Sequence, residues 1–300
     1  MATFETSLKS RLIYVFAISD EWHKDCLKVG ETTLEEDDGN FPLPNSEILN
    51  KAACDRIDQY TKTAGIAYTL LHTEMTVFFK GGTISSFNDK QVHSVLERSG
   101  VKKKTFDTVK GANEWFCCDL ETVKKAIHAV KNGQNSLNAS DISHTQTPII
   151  FRPEQQAAID KTKKQFKKGS QMLWNAKMRF GKTLCALRVA RDLDMRRTII
   201  LTHRPVVDEG WFEDFGKIFY DRTDYHYGSR TKGEDFDSLE RLAKKGGKYV
   251  YFASMQDMRG AQLVGGKFDK NNEVFSTEWD FLIVDEAHEG TRTELGEAGI

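Results

Sequence analysis

The 300-residue chain lacks several features that mark particular classes of protein. No apolar run approaches the roughly 20 residues that cross a membrane, so no membrane span is expected. The N-terminal residues carry no secretory signal, which favours a cytoplasmic protein. The five cysteines include no Cys-x-x-Cys spacing, so we expect reduced thiols rather than a disulfide framework or a metal site.

The chain also has no excess charge of either sign. Its 43 basic and 44 acidic residues give a formal net charge of −1. Bulk charge therefore does not attract nucleic acid, and a nucleic-acid site would need basic residues concentrated locally. Hydrophobic residues make up 39% of the chain, which is enough to form the cores of the roughly two domains that its length predicts.

The strongest local signal is the segment 176–183, which ends in Gly181-Lys182-Thr183 and leads into an apolar helix. A strand is predicted before it, at residues 172–174. This is the layout of a phosphate-binding loop, in which backbone N–H groups, a lysine and a hydroxyl contact the phosphates and Mg²⁺. The usual pattern begins with glycine, and Ala176 stands there instead. We predict that residues 176–183 bind ATP.

A second motif, Asp285-Glu286-Ala287-His288, follows an apolar segment at 279–284. Alternating strands and helices predict a parallel sheet, and this last strand delivers the acidic pair to its carboxyl end. We predict that Thr183 and Asp285 hold the Mg²⁺ of bound ATP while Lys182 neutralises phosphate charge. Glu286 is predicted to orient and deprotonate the attacking water.

An Arg-Pro-x-Gln element, with Arg152 and Gln155, precedes the loop. With the two motifs above, residues 149–300 resemble the first RecA-like domain of superfamily-2 DEAH-type helicases and translocases of the restriction type. The resemblance implies that Arg152, Gln155 and His288 belong to the nucleotide site. In such proteins Gln155 would read the adenine edge, and His288 would couple the site to a second motor domain.

The same resemblance implies two DNA-contacting elements and a partner domain. Thr202 with Arg204 would contact the DNA backbone, and Ser254 with Gln256 resembles a further strand-contact motif. A second RecA-like domain would supply an arginine finger, and residues 289–300 cannot hold it. We therefore expect this chain to be the N-terminal part of a longer protein.

The N-terminal segment 1–132 reads as a small α+β domain. Strands are predicted at 11–18 and 26–33, and helices at 47–61, 89–99 and 120–130, with Ser46 and Asn88 as the N-caps of the first two helices. Its recognisable residues are Tyr14-Val15-Phe16, Lys28-Val29-Gly30, Arg56, Asp89 with His93 four residues later, and Glu114-Trp115-Phe116. In this order they resemble the GIY-YIG nuclease fold in its phage-type variant.

That resemblance implies a metal-dependent endonuclease. Arg56 would stabilise the pentavalent phosphate, and Asp89, in place of the family's glutamate, would hold Mg²⁺. Two family tyrosines are replaced here, by Phe16 and Lys28. Because strand side chains alternate, Tyr14 shares a face with Phe16 and could supply the missing hydroxyl. Alternatively, Lys28 could assist the attacking water.

The sequence thus predicts an α/β protein with three parts. These are a GIY-YIG-like domain at 1–132, a flexible linker at 133–148 and a RecA-like P-loop ATPase domain at 149–300. The expected function is an ATP-dependent helicase or translocase, acting with Mg²⁺ on double-stranded DNA, fused to an endonuclease of restriction or phage defence. One alternative is an ATP-switched DNA-binding protein whose N-terminal domain only recognises DNA. An RNA-remodelling helicase is the other.

Overall fold

The computed structural model describes residues 10–35, 41–106, 114–142, 149–177, 179–203, 205–258 and 271–285. The chain divides into two compact units, residues 1–137 and 138–300. The first is α+β with an antiparallel sheet, and the second is α/β with a parallel sheet. Among the described residues, no helix is long and apolar enough to span a membrane.

The sheet of the first unit has the strand order β3-β1-β2-β6, and its neighbouring strands are antiparallel. Residues 12–16 of the central strand are all buried, because both faces of the strand are covered. A separate hairpin joins β4 to β5. The strands are β1 Arg11–Ala17, β2 Leu27–Thr33, β3 Thr69–Met75, β4 Val77–Lys80, β5 Thr83–Ser86 and β6 Trp115–Phe116.

Three helices cover this sheet: α1 Glu47–Thr61, α2 Asp89–Arg98 and α3 Leu120–Lys131. Leu49, Ala53 and Ile57 of α1 pack on the sheet face that carries Tyr14 and Phe16. The predicted N-cap of α2 is confirmed, since the Asn88 side chain accepts a hydrogen bond from the Gln91 N–H at 3.0 Å. Helix α3 also begins after a side-chain cap, that of Asp119, whereas Ser46 at the N-cap position of α1 makes no side-chain cap hydrogen bond.

The first part of the predicted linker packs on the first unit. Ser136 and Leu137 are buried, and the Leu137 N–H donates to Ser99 Oγ at 2.9 Å. The buried Leu137 and hydrogen bonds to Ser99 and to the end of α3 fix this stretch, although its composition predicted too little burial to order it. Residues 143–148 lie outside the described residues.

The predicted parallel sheet of the second unit is confirmed, with the strand order β10-β7-β9-β8. Its strands are β7 Arg197–Thr202, β8 Tyr225–Gly228, β9 Lys248–Ser254 and β10 Phe281–Val284. Strand β8 was not predicted, because four residues are too few to show a period. All four are buried, and Tyr225 is stacked on Phe219.

Helices lie on this sheet around apolar clusters, one of which joins Leu187, Trp211 and Phe215 to Ile200 and Phe252 of the strands. The helices are α4 Pro153–Gln165, α5 Lys182–Asp192, α6 Asp208–Phe219, α7 Phe236–Lys244, α8 Met255–Met258 and α9 Asn272–Ser276, and a 3-10 turn covers Pro205–Val207.

The predicted strand at 172–174 is wrong. These residues pair with none of the described strands, and the side chain of Leu173 is exposed. Trp174 is instead tied to α4, because its Nε1–H donates to Thr162 Oγ1 at 2.8 Å. An apolar triplet predicts burial, but a strand also needs a neighbouring strand with which its backbone N–H and C=O groups form hydrogen bonds.

Candidate functional site

Two residues near the end of the phosphate loop (176–183) have left-handed backbone, Arg179 (φ 64°) and Gly181 (φ 87°). They turn the chain so that α5 begins at Lys182, followed by Thr183. The first N–H groups of a helix have no partner inside it, and together with the helix dipole they attract anions. The start of α5 is therefore suited to bind phosphate.

Gln155 and Arg152 brace this loop. The Gln155 side-chain N–H donates to the Phe180 carbonyl at 2.7 Å, and the Arg152 guanidinium donates to the same carbonyl at 3.0 Å. Gln155 Oε1 accepts the Arg152 N–H at 2.8 Å, and the side chain is buried. A Cβ on Gly181 would come within 2.7 Å of Gln155 Nε2.

These contacts differ from the role that the resemblance implied for Gln155. Both ends of its amide are engaged within the chain, so this conformation does not present the side chain to an adenine edge. Gln155 takes this position because α4 begins at Pro153 and leaves the Arg152 N–H without a helical partner. The buried Gln155 amide thereby connects the Phe180 carbonyl of the loop to the start of α4.

An open cleft of about 560 Å³ lies beside the loop. Its wall includes Asn175, Ala176 and Lys177 of the loop, together with Arg152 and Arg179. The volume lies within the range of roughly 300–1,000 Å³ that small-molecule sites occupy. Four cationic side chains and one carboxylate, that of Glu154, border it, and this excess of positive charge suits a polyanionic ligand such as a nucleotide.

Asp285 follows the last residue of β10, at the carboxyl end of the sheet. Val284 pairs with Leu201, and the Asp285 N–H donates to the Leu201 carbonyl at 2.9 Å. A Thr183 hydroxyl and an Asp285 carboxylate supply the hard oxygen ligands that Mg²⁺ prefers, so their chemistry fits the predicted ion. Glu286, His288 and Arg204 lie outside the described residues.

The predicted DNA contacts of Thr202 and Ser254 do not fit the structure. Thr202 is 2% exposed and Ser254 is fully buried. The Ser254 hydroxyl donates to Asp257 Oδ2 at 2.7 Å and accepts the Asp257 N–H at 3.1 Å. Both residues end neighbouring strands, at positions that pair with each other inside the sheet.

A second cluster lies in the first unit around Tyr14. Its hydroxyl lies within interaction range of the Tyr60 hydroxyl and the Arg56 guanidinium, both of which affect its pKa. Tyr14 pairs with Gly30 across the sheet, and a Cβ on Gly30 would lie 2.7 Å from the ring. The absence of a side chain at Gly30 therefore makes room for the tyrosine.

Lys28 completes this cluster. Its Nζ lies 4.9 Å from the centroid of the Tyr60 ring and 3.2 Å from Glu114 Oε2. The structure thus brings together three of the predicted residues, Tyr14, Lys28 and Arg56, on one face of the sheet. The arrangement offers two hydroxyls and two cations, which are the groups that a phosphodiester requires for binding and charge stabilisation.

Tyr60 and Glu114 were not predicted as site residues. Tyr60 follows Arg56 by four residues on α1, so the two share one helix face. Glu114 precedes Trp115, which pairs with Lys28 across β2 and β6. The helical spacing was a usable signal for Tyr60, whereas Glu114 becomes evident only from the strand register.

The pKa values of both tyrosines lie above the ordinary tyrosine value. Burial raises the pKa of Tyr14, against the opposing effects of the Tyr60 hydrogen bond and the Arg56 charge. Burial also raises the pKa of Tyr60, with further increases from the charge of Tyr14 and its hydrogen bond. Both hydroxyls therefore keep their protons at neutral pH and can act as hydrogen-bond donors.

Asp89 is not linked to this cluster by the contacts of the described residues. Its backbone N–H donates to Glu31 Oε2 at 3.4 Å, and Glu31 projects to the sheet face opposite to Gly30. His93 Nε2 donates to the Val29 carbonyl at 2.8 Å, which gives His93 a packing role. In the part of the chain that the structure describes, no three His, Cys, Asp or Glu side chains gather as a metal site.

Comparison with known proteins places the second unit in a family context. The family model described as "Type III restriction enzyme, res subunit" matches residues 148–298. A relative from Mycoplasma pneumoniae is 29% identical over an alignment of 155 residues, and the match covers 48% of this chain and 21% of that protein. It is described as the C-terminal part of a type II restriction enzyme and methyltransferase. The chain thus spans about a fifth of this relative's length.

Proposed function

Because the chain belongs to the family of type III restriction enzyme res subunits, we propose that it is an ATP-dependent DNA translocase or helicase joined to a DNA endonuclease. The family match itself establishes a restriction-related, helicase-like domain at residues 148–298. The relative, described as a restriction enzyme and methyltransferase, supports a role in restriction. The motor activity, the nuclease and the partners of the whole protein belong to the proposal.

The observation that carries the motor half is the start of α5. Gly181 in left-handed conformation leads directly into Lys182 and Thr183 at a helix N-terminus, beside a cleft bordered by cations. In the proposed site Lys182 neutralises charge on the β- and γ-phosphates. Thr183 and Asp285 would hold Mg²⁺, which would supply further charge neutralisation. Glu286 would orient the attacking water, and His288 would communicate with a second RecA-like domain.

ATP binding by the full chain tests this half. Replacing Lys182 by alanine removes charge-assisted hydrogen bonds of about 1.5–3 kcal/mol, so a fluorescent ATP analogue should bind roughly 10- to 100-fold more weakly. Lys167→Ala is the matched control, because Lys167 is an exposed lysine outside the cleft. Equal affinity of the Lys182→Ala variant and the wild type would contradict the proposed site.

The cluster around Tyr14 carries the nuclease half. In the proposed reaction Arg56 stabilises the charge of the pentavalent phosphate, and the protonated Tyr14 hydroxyl donates to a phosphate oxygen. Lys28 provides the second cation, and its pairing with Glu114 fixes its position. Asp89 is proposed to hold Mg²⁺ at the scissile phosphate, on the strength of the family resemblance alone.

A nicking assay on supercoiled DNA with Mg²⁺ tests this half. Arg56→Ala should slow cutting by about 100- to 1,000-fold, the usual effect of removing one transition-state donor. Lys51→Ala, an exposed charge on the same helix, is the matched control. Asp89→Ala separates the metal role, since loss of cutting with unchanged DNA affinity is expected. Full activity in both Arg56→Ala and Asp89→Ala would refute these assignments.

A second candidate function follows from Phe16 and Lys28, which replace two family tyrosines. In that case the N-terminal unit recognises DNA without cutting it, and ATP binding changes its affinity for DNA. Wild-type protein that binds DNA but never nicks it, with Mg²⁺ or Mn²⁺, would favour this candidate. Affinities for duplex DNA, single strands and RNA at one fixed salt concentration would distinguish both functions from RNA remodelling.

A further inference from the structure

Two cysteines face each other at one end of the sheet in the first unit. In the antiparallel pair of β2 and β6, Leu27 lies opposite Phe116, so the next position sets Cys26 opposite Cys117. Opposed residues of such a ladder are about 4.5–5.5 Å apart at Cα, within the roughly 4.4–6.8 Å that a disulfide bridges. The two Sγ atoms lie 2.9 Å apart, and both thiols are free.

Backbone contacts hold both cysteines in this position. The Cys26 N–H donates to the His23 carbonyl at 3.1 Å, and the Cys117 N–H donates to the Lys102 carbonyl at 2.8 Å. The register of the two strands therefore sets the distance between the sulfurs. Forming a bond between them needs a small side-chain rotation and no rearrangement of the sheet.

The two thiols differ in their access to solvent. Cys117 is exposed, whereas Cys26 is 3% exposed. Burial, followed by the hydrogen bond with Cys117, raises the pKa of Cys26 to about 12. A solute therefore reaches the Cys117 sulfur first, and the buried Cys26 thiol is placed to react with Cys117 afterwards.

We propose that Cys26 and Cys117 form a redox modification site, which a small-molecule disulfide such as oxidised glutathione converts into an intramolecular disulfide. The Cys117 thiolate attacks one glutathione sulfur and expels the other as a thiolate, which leaves a mixed disulfide. Cys26 gives up its proton and attacks Cys117 Sγ, and the second glutathione departs. The protein loses two electrons and two protons, which the two glutathione thiols carry away.

The new bond would join the start of β2 to the end of β6, two residues before Lys28 and three residues after Glu114. It would leave Cys118 untouched, because adjacent cysteines do not readily bridge each other. Burial, followed by the charge of Asp119, raises the pKa of Cys118 to about 12, as burial does for Cys26, so the pKa does not separate the two thiols; the strand register holds the Cys26 sulfur 2.9 Å from Cys117 Sγ. Cys118 therefore provides a control residue next to the site.

Peptide mapping of the full chain tests the proposal. After treatment with oxidised glutathione and alkylation in denaturant, reactive thiols should fall from five to three. A peptide pair joined through Cys26 and Cys117 should appear and should vanish on reduction with dithiothreitol. Cys117→Ser should give no such pair, while Cys118→Ser should form it at the wild-type rate.

Other linkages would overturn the proposal. These are a bridge between Cys117 and Cys118, a bridge between two chains, or glutathione that stays on Cys117 while Cys26 remains free. Loss of the bridge in Cys118→Ser would do the same. Circular dichroism confirms that each variant folds. The wild-type map alone decides the question if Cys117→Ser does not fold.

Discussion

Replacing Gly30 by alanine tests whether the neighbouring strand leaves space for the Tyr14 ring. The added Cβ would lie 2.7 Å from the ring Cζ and from the hydroxyl oxygen. Carbon atoms pack best at about 3.5–4.0 Å, so the ring must withdraw by roughly 1 Å. Tyr14 is buried on the central strand, and its hydroxyl interacts with Tyr60 and Arg56, so this movement has a cost.

Two opposing effects set the size of that cost. Overpacking of a buried site destabilises by about 1–3 kcal/mol. Alanine also restricts the unfolded chain, which stabilises by about 0.4–1 kcal/mol. The net loss for Gly30→Ala is roughly 1–2 kcal/mol, and urea unfolding followed by circular dichroism measures it. Cutting should fall as well, because the Tyr14 hydroxyl moves away from Arg56.

A double-mutant cycle isolates the contact. In a Tyr14→Leu background the ring is gone, so Gly30→Ala should be neutral or slightly stabilising. Gly210→Ala is the control for the general effect of alanine, because a Cβ there meets open space on α6. It should stabilise by about 0.5–1 kcal/mol. An equal loss for Gly30→Ala in both backgrounds would refute the packing explanation.

Three further predictions concern other buried groups. Gln155→Ala should cost about 1–3 kcal/mol, because the Arg152 N–H loses its acceptor and the Phe180 carbonyl loses one of its two donors, and should weaken ATP-analogue binding measured by fluorescence. Leu137→Ala should destabilise the first unit by about 2–3 kcal/mol in urea, whereas a flexible linker residue would give no change. Burial lowers the pKa of His226 from 6.5, so its stabilising effect is complete above pH 6.5 and is lost as the pH falls through the folded-state pKa. His226→Gln should flatten this decline in urea unfolding, and an unchanged slope would contradict it.

The sequence predicted those elements whose pattern is complete within a few neighbouring residues. The β-branched run of β1, the Asn88 cap of α2 and the Gly181 turn each have a local cause, and the structure has all three. Residues 172–174 show the limit, because an apolar run does not reveal whether a ladder partner is present. Strand β8 was missed for the opposite reason, since its burial comes entirely from the elements around it.

The residues of the candidate sites also fall into two groups: those with a local signal in the sequence, and those whose role depends on contacts between distant parts of the chain. Lys182 and Thr183 were identified from spacing alone, and the structure has them at the start of α5. The partners of Gln155 could not be predicted, because its bond to the Phe180 carbonyl depends on how α4 packs against the loop. Glu114 could not be predicted either, since its contact with Lys28 joins residues far apart in sequence.

The strand order of the second unit has a consequence for biosynthesis. Strand β10 (Phe281–Val284) pairs with β7 (Arg197–Thr202), so the edge of the sheet that carries Asp285 forms only after the chain has been made through this last strand. The phosphate loop leaves the ribosome about 100 residues earlier, or roughly 5–20 s at ordinary rates of synthesis. During that interval the nascent chain has the turn proposed to bind phosphate but not the carboxylate proposed to hold the metal. A growing chain therefore acquires the proposed metal ligand only after the loop has already been synthesised and can fold.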